Sequence, residues 1–127
     1  MRQDLTLLIT SLVSIVLALI HLAEDIVRGF EPGRTETFNG VLIGAVWLYA
    51  VLGVPDGRVR YVLIMLLSIG GAGVSYIHMR GAGLAGGRIA GSDGVFLWVF
   101  TLLALGVASS LAAMLSLTGL WRLRRAK

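Results

Sequence analysis

The chain has 127 residues, 57% of them hydrophobic and 14% charged, with a formal net charge of +4 and a mean hydropathy of +0.87. A water-soluble domain of this length needs far more polar surface to cover its core, so that class is excluded. The chain has no cysteine, which rules out disulfides, thiolate metal sites, iron–sulfur clusters and cysteine redox relays.

The apolar residues are gathered into four runs, Leu5–Ala23, Phe38–Val54, Tyr61–Met79 and Gly94–Trp121. A bilayer core of about 30 Å is crossed by about 20 helical residues. The predicted architecture is an all-α, integral membrane four-helix bundle forming one membrane domain over 1–127, with spans at about 5–27, 38–54, 60–79 and 94–121. The second run is short and should stand nearly upright, while the fourth is long and should tilt or protrude.

The first run follows Met1-Arg2-Gln3-Asp4. It is longer than the apolar part of a signal peptide and ends without a small-x-small cleavage pattern, so it is expected to be a retained helix. It closes on His21-Leu-Ala-Glu24-Asp25-Ile-Val-Arg28, whose polar residues recur at i, i+3, i+4 and i+7 and so line one helix face. Ionisable groups at the end of a span are costly and mark a candidate functional site.

The connection Phe30–Thr37 carries a Pro32-Gly33 turn signal. Asn39 then opens the second helix, and Gly40-Val-Leu-Ile-Gly44 gives it a small-xxx-small packing face. Trp47 and Tyr49 lie mid-span. Aromatic residues there serve packing, and the Tyr49 hydroxyl is expected to face the bundle interior for a partner.

A tight turn at Val54-Pro55-Asp56-Gly57-Arg58 makes the second and third helices antiparallel neighbours. The third helix holds Gly70, Gly71 and Gly73, which could bend it, then Ser75 and the second histidine, His78, followed by Arg80. A glycine-rich stretch follows. Its Gly81-Ala-Gly83-Leu-Ala-Gly86 matches a dinucleotide fingerprint in letters only, since that motif must follow a strand and open a helix. Asp93 could cap the fourth helix. In that helix Ala104, Ala108, Ala112 and Ser116 form a small-residue stripe, suited to intramolecular packing or to a homo-oligomer or larger membrane complex.

Four spans put both termini on one side. Arg2, Arg58, Arg60, Arg122, Arg124, Arg125 and Lys127 share it, against Arg28, Arg34, Arg80 and Arg88 opposite, and seven against four places both termini in the cytoplasm of a multi-pass inner-membrane protein. Tyr61 and Trp121 are expected as cytoplasmic-side interfacial anchors and Trp98 as one near the outer interface. Because the basic residues sit at helix ends and in the tail, anionic lipid rather than nucleic acid is the expected partner.

The first and third spans run the same way, and His21 and His78 fall at nearly the same depth. His21, Glu24, Asp25, Arg28, Asn39, Ser75, His78 and Arg80 are therefore the candidate ligand- or proton-binding residues near the outer face. Four readings fit them. They could form an interfacial salt-bridge network, or a protonatable pocket in an accessory or ligand-binding protein or an oligomeric proton-coupled transporter. They could hold a cofactor, either a divalent metal on His21, His78 and Asp25 or a haem b between the two imidazoles. Catalysis has the least support, since Ser75 and Ser92 lack any triad context; the expected role is non-enzymatic.

Overall fold

In the computed structural model, which describes residues 2–29, 34–80 and 94–125, four helices account for nearly all of the described chain. They are α1 (Arg2–Arg28), α2 (Arg34–Leu52), α3 (Arg58–Arg80) and α4 (Val95–Arg125). Each begins or ends in charged residues, so α1 and α3 overrun their apolar runs at both ends, α2 at its start and α4 at its end. Backbone hydrogen bonding continues into the polar boundary because helix is the cheapest way to satisfy it there. The glycine cluster in α3 leaves it one continuous helix.

Three helices, over Asp4–Arg28, Arg58–His78 and Val95–Arg125, are long and apolar enough to cross a membrane; α2 contributes a shorter apolar stretch, Thr37–Leu52. The surface supports the same conclusion. Leu5, Ile9, Val13, Val16, Leu42, Ile69, Phe96 and Val107 all point outward, whereas Ser11, Ser14, Ser68, Ser109 and Ser116 are completely buried. Water would favour the reverse arrangement. In lipid, apolar side chains cost nothing outside and small ones inside let backbones approach.

Contacts at both ends fix the directions. Tyr61 meets Asp4 at one end and His78 meets Asp25 at the other, so α1 and α3 are parallel. Arg28 reaches Gly94, and Ser75 reaches Leu102, so α4 runs antiparallel to both. Helices α1 and α3 occupy one diagonal of a square, touching less than side-by-side neighbours do, and α4 makes the most extensive interfaces. It packs closely on α3 at Gly71, where an added Cβ would stand 2.6 Å from Ser109 Oγ and 2.9 Å from Trp47, and its own Gly106 and Gly119 leave room for Ser75 and Tyr61.

The predicted packing residues are placed in detail. Gly40 and Gly44 turn toward α1, where a Cβ at either would press on Leu22 or Leu19. The α4 stripe divides. Ala112 and Ser116 are fully buried, while Ala104 and Ala108 are half-buried and line a shallow apolar groove with Ile9, Val13 and Leu17 of α1. Tyr49 departs from expectation: it is 66% exposed and its ring lies back against Gly53. Gly53 has no side chain to keep the ring off, so the phenol lies outside the bundle.

Candidate metal centre

The last two turns of α1, the end of α3 and the start of α4 meet at one end of the bundle. Helical spacing puts His21 and Asp25 one turn apart on the buried face of α1. His21 is 3% exposed and Asp25 7%. His78 comes from α3. His21 Nε2 lies 3.7 Å and His78 Nε2 3.5 Å from the same oxygen, Asp25 Oδ2. One ligand atom from each of the three residues lies within 4.8 Å of the other two. The imidazoles meet edge to face with ring centroids 5.0 Å apart.

The outward-turned atoms of these side chains are held by neighbours. His78 Nδ1 lies 2.9 Å from the Val74 carbonyl, which can only accept, so this nitrogen carries the proton. His21 Nδ1 is 3.3 Å from Thr101 Oγ1. Thr101 has a single hydroxyl proton and two acceptors within reach, Glu24 Oε2 at 2.8 Å and the Trp98 carbonyl at 3.0 Å. With that proton donated to the carboxylate, the hydroxyl accepts from His21 Nδ1–H. Trp98 Nε1 donates to Asp25 Oδ1 at 2.6 Å, and the Trp98 ring packs on both imidazoles, with centroids at 5.0 and 5.5 Å.

With both imidazoles neutral, these tautomers direct both Nε2 lone pairs to the region of Asp25 Oδ2, whereas a protonated ring forms an ion pair with that oxygen; His21 Nε2 is buried without a hydrogen-bond partner. Lone pairs and a carboxylate oxygen repel one another in a low-dielectric interior unless a cation is shared among them. Two imidazole Nε2 atoms and one carboxylate oxygen, each oriented by a hydrogen bond from its other polar atom, form a common set of divalent-metal ligands with their supporting shell. The two measured spacings are close to the ~3.4 Å that tetrahedral bonds of about 2.1 Å impose.

Comparisons with protein-family models, with curated proteins and with solved structures return no match.

The other candidates take distinct positions. Glu24 accepts from Thr101 and lies 4.0 Å from Arg28 Nη2, and Arg28 donates to the Gly94 carbonyl at 2.8 Å. Both border the cluster rather than join it. Ser75 is buried but donates to the Leu102 carbonyl at 2.6 Å, on the α4 side. Asn39 is exposed and takes no part. The Arg80 side chain, Arg88, the glycine-rich stretch and the Asp93 cap lie outside the described residues.

Two residues of the site were missed by sequence reasoning. Trp98, expected at the outer interface, is 1% exposed and bonded to Asp25. Thr101 joins His21 to Glu24. The available signal was the antiparallel register of α4, which brings its first two turns level with the last two of α1. Trp98 and Thr101 are the residues there that can donate from a side chain.

At the opposite end Tyr61 donates to Asp4 at 2.7 Å, Asp56 pairs with Arg60, and the Arg125 guanidinium lies 3.8 Å over the Trp121 ring. Tyr61 and Trp121 thus share one end of the bundle with the basic tail.

Proposed function

We propose that this protein is a small multi-pass membrane protein that binds one divalent transition-metal ion through His21, Asp25 and His78. The observation that carries the reading is the convergence of two imidazole nitrogens on one carboxylate oxygen, with His21 Nε2 buried and without a hydrogen-bond partner. Three protein ligands leave a coordination position open for an exogenous ligand, as in zinc sites of the His₂-carboxylate type. The spacing favours a bare ion over haem. Two axial imidazoles must face one another across a macrocycle, whereas these rings touch edge to face and share a Trp98 contact.

In this proposal α2 crosses the bilayer with the other three helices. Both termini are cytoplasmic, the metal centre lies near the outer face of the inner membrane, and the protein acts as a ligand-binding or accessory component rather than an enzyme. The excess of basic residues at the Tyr61 end supports that orientation. The half-buried groove at Ala104 and Ala108 is the surface offered to a second copy or a larger complex.

The test is equilibrium loading of detergent-purified protein with zinc, followed by desalting and elemental analysis. One zinc per chain is expected, with less than a tenth of that in His21→Ala and in Asp25→Asn. Zinc well below one per chain after loading, or full retention in His21→Ala, would overturn the assignment.

A further inference from the structure

A cavity of about 430 Å³ lies directly beside the three ligands, between α1, α2 and α3. His21, Asp25 and His78 line one end; Leu19, Leu22 and Val74 are among its apolar walls, and Trp47 also lines it. Gly44 lets Leu19 of α1 come close along one wall, and at exposed Gly70, where a Cβ would meet nothing within 4 Å, the space opens to the outside of the bundle beside Leu66. Trp47 is 2% exposed, and its Nε1, like His21 Nε2, is buried without a hydrogen-bond partner. Trp47 touches Gly71, seven residues before His78, so at helical rise the indole is on the order of 10 Å from the ligands along the bundle. The space therefore has a metal-binding end and an apolar body that runs toward the Trp47 ring.

Charge identifies the head group the cavity would take. A divalent ion held by Asp25 and two neutral imidazoles keeps a net charge of +1 in an apolar setting. Glu24 does not offset it, being engaged by Thr101 and lying near Arg28. An anionic oxygen donor in the open position completes both the coordination and the charge balance. The walls then require an aliphatic body on that donor, and the volume, at the low end of small-molecule sites, suits a medium-length chain rather than a whole phospholipid. We infer that the protein binds a medium-chain aliphatic carboxylate, its head on the metal ion and its chain in the cavity beside Gly70 and Trp47. This rests on the metal reading above.

The experiment uses full-length protein in nanodiscs loaded with Co²⁺, whose visible absorption reports its ligands. Acetate and octanoate are titrated in parallel against free aqueous concentration. Octanoate should shift the spectrum at a concentration at least about tenfold lower than acetate, because its methylenes leave water for the cavity. Gly70→Leu, whose side chain has room to enter the cavity, should bring the two within about twofold while keeping one cobalt per chain, which also shows that the bundle is intact. Equal affinities in the parent protein, or an undiminished preference for octanoate in a cobalt-loaded Gly70→Leu, would overturn the cavity assignment and leave the metal centre standing. Failure to bind cobalt at all would overturn the metal centre and the head-group assignment with it.

Discussion

Helices α1 and α3 are bridged at both ends, and the two bridges are built on opposite principles. At one end Tyr61 donates to Asp4, one donor to one acceptor. At the other, His21 and His78 both bring Nε2 toward Asp25 Oδ2, with their Nδ1 protons committed to Thr101 and Val74. The first bridge is a hydrogen bond that the chain completes by itself. The second, in the proposed reading, is an arrangement of acceptors that a cation completes. A polar bridge between spans that pairs donor with acceptor is evidence for helix packing; one that gathers two imidazoles and a carboxylate around a buried, unpartnered nitrogen supports a ligand.

The largest expected effect is on metal affinity. His78→Ala removes one of three ligands and should weaken zinc binding by more than about a hundredfold, beyond the usual cost of disturbing a supporting residue. Competition with a chromogenic chelator measures it. An affinity within a few fold of the parent would remove His78 from the site and leave the two bridges alike.

Next in size is stabilisation by the ion. At a hundred times its dissociation constant, zinc should stabilise the bundle by about 2.7 kcal/mol, seen as a raised unfolding temperature that a chelator reverses. His21→Leu should abolish that response. Without metal this variant should unfold no more easily than the parent, because an apolar side chain replaces an imidazole whose Nε2 has no partner. A metal-free His21→Leu protein markedly less stable than metal-free parent would mean that the cluster is self-sufficient.

A smaller effect is expected one layer out. Thr101→Val deletes the hydroxyl that accepts from His21 and donates to Glu24 at nearly constant volume. Zinc affinity should fall roughly tenfold with stoichiometry unchanged. An unaltered affinity would show that Thr101 does not orient the ring.

The smallest effect belongs to the other end. Tyr61→Phe should cost at most about 1 kcal/mol, because Asp4 is only partly buried and keeps other interactions. Its response to zinc should match the parent's. A loss of zinc binding in Tyr61→Phe would couple the two ends and break the contrast between them.

The convergence of His21, Asp25 and His78 is legible in the sequence because it depends on helical periodicity and equal depth. His21 and Asp25 are one turn apart on α1, and His78 lies as far along α3, so parallel α1 and α3 bring the three level. The same logic reaches Glu24 and Arg28 but overreaches for Asn39 and Ser75. Depth puts both near the cluster, yet Asn39 faces outward and Ser75 turns to α4. Depth fixes one coordinate of a side chain; its azimuth around the helix depends on which neighbour each face meets.

What the sequence determined by itself is the solvent and the secondary structure. Long apolar runs without alternation, ended by charge and turn residues, can satisfy their backbone in lipid only as helices. What the tertiary structure alone decided is which helices lie diagonal, that α4 brings Trp98 and Thr101 against the histidines, and that a cavity lies beside them. Those outcomes depend on how small side chains let backbones approach, a property of pairs of surfaces that no single helix encodes.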